Sequence, residues 1–331
     1  MESNLPPTQP ASSDFDPIEL SIVVPVYNEE PNLDYLFERL EGVLARLKMS
    51  YEIVCVNDGS QDKTLACLVE HHRRNPAIKA IDLSRNFGKE IALTAGLDYA
   101  LGSAIILIDA DLQDPPELIE QLVEKWQEGY DVVYGTRRSR AGETWLKRST
   151  AEAFYRTLEK MSPVRIPRDT GDFRLLDRRV VEALKLLPER TRFMKGLFAW
   201  VGFRQTSVFF EREPRYQGTT TWTYWKLWNF ALDGITSFSF VPLKVWSYIG
   251  LFISFLSLFY ASFLVLRTII FGVDVPGYAS TIVAVLFLGG IQLITLGIMG
   301  EYLGRVYQEV KGRPIYLVRE VHGFTNKTLK N

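Results

Sequence analysis

Two cysteines, three histidines and almost no net charge set the first limits on this 331-residue chain. Cys55 lies in an apolar strand pattern and Cys67 in a helical one, and no His/Cys cluster recurs along the sequence. A zinc site is therefore not expected, and the thiols read as reduced and inert in a cytosolic setting. Lysine and arginine number 38 against 39 aspartates and glutamates, a net charge of -1. That balance argues against a nucleic-acid partner. No G-x-G-x-x-G follows the first strand pattern, so a dinucleotide cofactor has no support. Internal repeats are missing. Residues Met1 to Pro17 lack both a basic start and an apolar core, so they read as a disordered tail and not a signal peptide.

Charge is missing in a second, more informative way. Val245 to Leu266 carries no charged residue, and neither does Val275 to Gly300. Each run exceeds the roughly 20 residues that cross a bilayer core. The connection contains the turn formers Gly272, Pro276 and Gly277. A two-helix transmembrane hairpin over 242–303 is expected. Lys226, Lys244, Arg305, Lys311 and Arg313 flank its outer ends, while the tip carries only Asp274, with Arg267 about two turns before it. The positive-inside rule then puts the large domain and both termini in the cytoplasm, with two spans in the cytoplasmic (inner) membrane. Residues 222–241, with Trp222, Trp225, Trp228, Phe230, Phe238 and Phe240, read as amphipathic helices at the membrane interface. Residues 304–331 form a cytosolic tail in which Pro314 to Glu320 alternates enough to make a strand.

The region 18–221 reads as one α/β domain. Strand patterns at Leu20–Val26, Tyr51–Asn57, Ile78–Leu83, Ala104–Ile108 and Asp131–Gly135 alternate with helical patterns at Glu30–Leu47, Asp62–Arg73, Lys89–Leu101 and Pro116–Trp126. Continuous apolar strands between amphipathic helices imply a mostly parallel sheet covered on both faces. Beyond Thr144 the pattern loosens to a helix reaching about Met161, a loop at Pro163–Asp172, and short strands at Phe173–Leu176 and Ser207–Phe210.

The fourth strand runs Ala104-Ile105-Ile106-Leu107-Ile108 straight into Asp109-Ala110-Asp111-Leu112-Gln113-Asp114-Pro115-Pro116. Acids at the end of a parallel strand sit where open α/β sheets bind ligands. Two aspartates one residue apart offer hard oxygens to Mg²⁺ or Mn²⁺, ions that commonly also hold substrate phosphates. The other strand tips fall on the same edge. They read Pro25-Val26-Tyr27-Asn28-Glu29, Asn57-Asp58-Gly59-Ser60 and Arg85-Asn86-Phe87-Gly88-Lys89.

Taken together, these segments resemble the family 2 inverting glycosyltransferases with a GT-A fold. The resemblance covers roughly Leu20 to Tyr224. With the hairpin, the whole chain is similar to the polyisoprenyl-phosphate glycosyltransferases of the GtrB type, relatives of dolichol-phosphate mannose synthases. The resemblance implies that Pro25, Tyr27, Glu29 and Asp58 hold the nucleoside, with Asp109 and Ala110 also on the nucleotide sugar. Asp109, Asp111 and Gln113 then form the Mg²⁺ or Mn²⁺ site, the ion neutralising the departing diphosphate. Lys89, at the start of its helix, is a candidate to reach that diphosphate.

Arg137 and Arg148 match arginines that the resemblance assigns to phosphate groups, as suits guanidinium forks. Arg138 and Arg140 are further acceptor candidates. Arg215-Tyr216-Gln217-Gly218-Thr219-Thr220-Thr221-Trp222 has Thr221 where the family usually places lysine, leaving Arg215 or Lys226 as the substitute contact. In Asp169-Thr170-Gly171-Asp172-Phe173-Arg174, Asp172 is the family's candidate base. A phosphate monoester, with a second pKa of about 6, scarcely needs a proton removed, so Asp172 is equally a candidate to orient sugar hydroxyls or phosphate.

The implied reaction is inverting transfer of glucose from UDP-glucose to undecaprenyl phosphate, with Asp111 and Asp172 as the catalytic candidates. Mannose or aminoarabinose is the alternative sugar. A non-catalytic sugar-nucleotide-binding scaffold is the alternative of another class, and a processive polysaccharide synthase lacks its Q-x-x-R-W motif here. A homo-oligomer, with a tetramer as the first candidate, is expected from the small footing that two spans provide.

Overall fold

The computed structural model describes residues 18–137, 170–187, 189–190, 192–211, 241–272 and 277–324. The expected helix beyond Thr144, the interface helices at 222–240, and Arg138, Arg140, Arg148, Arg215 and Lys226 lie outside those residues.

One sheet carries the domain. Its strands are β1 (Leu20–Val26), β2 (Tyr51–Asn57), β3 (Ile78–Leu83), β4 (Ala104–Leu107), β5 (Val132–Arg137), β6 (Thr170–Asp177), β7 (Gln205–Phe210) and β8 (Val318–His322). Their spatial order is β7-β5-β6-β4-β1-β2-β3-β8. β1, β2, β3 and β4 are mutually parallel, while β6 and β8 run antiparallel to their neighbours. The inner strands are apolar on both faces because both faces are covered. Ile22, Val24 and Cys55 join one core cluster, while Val23, Val54 and Val56 join the other.

The helices are α1 (Glu30–Leu47), α2 (Thr64–Arg74), α3 (Lys89–Tyr99), α4 (Ile119–Gln127, after a 3₁₀ turn at Pro116–Leu118), α5 (Arg178–Lys185) and α6 (Met194–Trp200). α1 buries Leu33, Leu36, Phe37, Leu40, Val43 and Leu44 along one stripe. α3 is apolar almost all round because it lies directly on β1 and β2. A Cβ on its Gly96 would stand 2.2 Å from Val23 Cγ1, so only glycine permits this approach. α3 thereby brings Lys89 to the carboxyl edge of the sheet.

Two long helices follow, α7 (Val241–Phe271) and α8 (Tyr278–Val310), which pack on each other. Among the described residues, Val283–Val310 is the segment long and apolar enough to cross a membrane, with a mean hydropathy of 2.1. α7 contains a shorter apolar stretch, Tyr248–Tyr260. After α8 the chain returns to the domain. β8 starts at Val318, later than the expected Pro314, and pairs antiparallel with β3. Arg319 sits 3.2 Å from the buried Asp82, and Tyr316 donates to Asp98 on α3 at 2.8 Å.

Candidate active site

β4 pairs with β1 only as far as Leu107 opposite Val23. Two residues on, β1 carries Pro25, which has no N–H to offer a neighbouring strand. The sheet opens there. This is also where strand order reverses, with β2 and β3 on one side of β1 and β4 on the other, the position where α/β sheets bind ligands.

The tips of β1 and β2 are laced together. Asn28, in the left-handed region at φ 55°, accepts from Gln61 N–H at 2.8 Å, and its own N–H donates to Ser60 Oγ at 2.9 Å. Glu29 N–H donates to Thr64 Oγ1 at 3.0 Å, and Glu29 accepts from the Asn32 side chain. Tyr27 is exposed at the rim. Asp58 is 3 % exposed, and its two oxygens accept from Phe87 N–H at 2.7 Å and Gly88 N–H at 2.9 Å. Burial raises its pKa against those two bonds and the nearby Arg85. Beside it, Gly59 has φ +68°, and a Cβ there would lie 2.5 Å from the backbone of Arg85. Asp58 thus fastens the loop that leads into Lys89, a structural task beyond the nucleoside contact expected for it.

The centre of the cleft is a three-way ion pair. Lys89 Nζ lies 2.7 Å from Asp109 and 2.5 Å from Asp172, joining the first residue of α3 to acids after β4 and on β6. Asp111 is mostly buried and accepts from Gln113 N–H at 3.1 Å. Between them, Leu112 adopts φ 58° while its side chain is buried, a conformation of the kind that clusters at functional sites. Burial opposes ionisation of Asp172, but the Lys89 and Lys195 ammoniums and Arg174 outweigh it, holding the carboxyl well below the usual carboxylate range. For Lys89, the adjoining Asp109 and Asp172 outweigh burial and keep the ammonium charged. The structure therefore gathers Lys89, Asp109, Asp111, Gln113 and Asp172 at one edge. Of Arg137 it gives the backbone, at the end of β5.

Two residues in this cluster went unassigned in the sequence. Arg174 is buried, donates to Gly171 O at 2.9 Å and lies 4.0 Å over the Phe198 ring. Glu90 reads as an ordinary first-turn acid, yet burial and then the neighbouring Asp172 push its pKa up to about 7. One of its oxygens is buried with no hydrogen-bond partner. Between pH 4.5 and 7, folded Glu90 keeps a proton that the unfolded chain has lost, so stability contributed here falls as pH rises through that window. Glu90→Gln is expected to remove that fall. Chemical denaturation of both proteins at pH 5 and pH 8 checks it, and an unchanged pH dependence would exclude the buried-acid description.

Residues 21–185 match the glycosyl transferase family 2 model, and residues 241–306 match the GtrB C-terminal hairpin. The chain is 69 % identical to the uncharacterized glycosyltransferase sll0501 of Synechocystis sp., over 92 % of this chain and 96 % of that protein. The chain belongs to glycosyl transferase family 2. It is also 49 % identical to the uncharacterized glycosyltransferase YkcC of Bacillus subtilis, over 94 % of this chain and 97 % of that one. To the bactoprenol glucosyl transferase of Shigella phage SfII it is 47 % identical, over 92 % and 99 % respectively. As a family 2 member with the GT-A type of α/β fold, it carries its acids and Lys89 at the sheet edge where that fold's ligands enter.

Proposed function

We propose that this chain transfers glucose, with inversion, from UDP-glucose to a polyprenyl phosphate, of which undecaprenyl phosphate is the first choice, at the cytoplasmic face of the membrane. One observation carries the reading. A family 2 domain and a GtrB hairpin occur in one chain that matches bactoprenol glucosyl transferases over 99 % of their length. Both long helices then cross the membrane, the GT-A domain spans 18–221, and α7 and α8 bring a lipid phosphate to the cleft, a proximity effect.

Pro25, Tyr27 and Glu29 line the rim where the nucleoside sits, with Asp58 behind them. The oxygens of Asp109, Asp111 and Gln113 suit a hard divalent ion, Mg²⁺ or Mn²⁺. Such an ion, when bound, neutralises charge on the leaving diphosphate. The acceptor phosphate oxygen attacks the anomeric carbon as the bond to UDP breaks, and Arg137, Arg148 and Arg215 hold the phosphate. Asp172 is a poor base, because its proton affinity is depressed by Lys89 and Lys195. Its role is to hold Lys89 towards Asp109 and to accept from sugar hydroxyls. Asp172→Asn is expected to lower kcat uniformly across pH 6–9, and a lost acidic limb in the pH–rate profile would restore it as a base.

The function is tested by UDP release from UDP-glucose. Release should require polyprenyl phosphate, and release independent of lipid would overturn the acceptor assignment.

A further inference from the structure

The sequence shows no cluster of His and Cys, but the fold builds a mixed one where α1 packs against α2. Asp34 of α1 meets Cys67 and His71 of α2, and one ligand atom from each lies within 4.8 Å of the others. Cys67 and His71 are four residues apart on one helix and so share a face. His71 Nε2 is 2.7 Å from Asp34 Oδ1. Its ring packs on Phe37, with centroids 4.4 Å apart, which fixes the imidazole plane. His71 is mostly buried, whereas Asp34 is 84 % exposed and free to adjust.

We infer that Asp34, Cys67 and His71 form a site for a thiophilic divalent ion of the Zn²⁺ type, separate from the cleft at Asp109 and Asp111. Thiolate, imidazole and carboxylate are the donors such an ion takes, with water completing a tetrahedron. Zinc bond lengths place ligand atoms about 3.3–3.8 Å apart. Reaching that spacing requires the exposed Asp34 to swing outwards and the His71 ring to carry its proton on Nδ1, leaving Nε2 to the ion. The surroundings favour a cation. Burial raises the Cys67 thiol, and the carboxylates of Asp34, Glu30 and Asp62 raise it further against Arg74 alone. Those same carboxylates draw a dication, which displaces the proton. Each ion bound therefore releases a thiol proton, and affinity should weaken about tenfold per pH unit as pH falls.

The site ties α1 to α2, whose first turns hold the Tyr27–Glu29 and Asp58–Ser60 loops together. It does not depend on the proposed reaction.

The test is a titration of the chelator-stripped full chain in detergent with Co²⁺ alone. A thiolate-to-cobalt charge-transfer band should appear, and Asp109 and Asp111, which offer oxygen and no thiolate, cannot produce it. Zn²⁺ should bleach the band. Cys67→Ser, a near-isosteric change, should abolish it, and His71→Gln should weaken Co²⁺ binding at least tenfold. No band in the wild-type chain, or a band that persists in Cys67→Ser, would overturn the site. Circular dichroism of both variants separates lost ligands from lost fold.

Discussion

Replacing Asp109 with asparagine is expected to lower kcat/KM for UDP-glucose by about 10³-fold, a few kcal/mol of transition-state stabilisation, while leaving the fold intact. Asp109 lies two residues beyond the apolar β4, and its carboxylate is a fifth to a quarter exposed. No core contact depends on its charge. Asparagine keeps the shape and one acceptor oxygen but cannot neutralise an ion or the Lys89 ammonium. Lys89 then keeps Asp172 as its acid partner. Two effects should appear together. The Mg²⁺ or Mn²⁺ concentration needed for half-maximal rate should rise, and the unfolding midpoint should stay close to wild type. Asp109→Asn activity within tenfold of wild type would remove the ion from this residue.

The largest effect on stability is expected at the opposite edge of the sheet. Glu52 of β2 is 1 % exposed and accepts three bonds, from Ser21 Oγ, Leu101 N–H and Lys79 Nζ, each at 2.6 Å. Ser21 Oγ in turn accepts from Gly102 N–H at 2.7 Å. One carboxylate therefore joins β1, β2, β3 and the turn before β4. Glu52→Ala strands the Lys79 ammonium, itself 13 % exposed, and leaves two other donors without their acceptor. Removing one member of a buried pair typically costs about 3–5 kcal/mol. Chemical denaturation of the full chain should show that loss. The double replacement Glu52→Leu with Lys79→Leu should cost less than Glu52→Ala, because no buried charge remains unpaired. A single-variant loss below about 1 kcal/mol would mean water already satisfies Lys79.

Those two sites differ in how far they could be read from the sequence. β1, α1, β2 and β3 have the expected bounds, since an unbroken apolar strand or a clear helical stripe marks each one. α3 ends two residues earlier than expected and α2 starts two later, where polar turns replace the pattern. The expected helix from Pro116 begins as a 3₁₀ turn, in which Leu118 N–H donates to Pro115 O at 3.1 Å, before α4 opens at Ile119. α5 and α6 were not foreseen. α5 sits after Asp177, which caps it through Arg179 N–H, and both are short.

At the site, the position of the D-x-D turn was legible because an unbroken apolar strand runs straight into it. The Lys89–Asp172 pair was not, because it joins residues 83 apart. Nothing local marks Leu112 for a left-handed backbone, nor Glu90 for burial. The four-residue spacing of Cys67 and His71 was visible, but Asp34 reaches them only once α1 packs beside α2. The carboxyl of Asp58 shows the reverse case. Its motif points outward to a nucleoside, while in the fold both oxygens face a loop 29 and 30 residues away.

The most direct measurement is lipid-product analysis with purified protein, undecaprenyl phosphate and a panel of nucleotide sugars, with and without chelator. One glucose-bearing polyprenyl phosphate is expected, formed from UDP-glucose and lost on chelation. Binding of UDP-glucose with no lipid product from any donor would contradict it and leave a sugar-nucleotide-binding membrane scaffold.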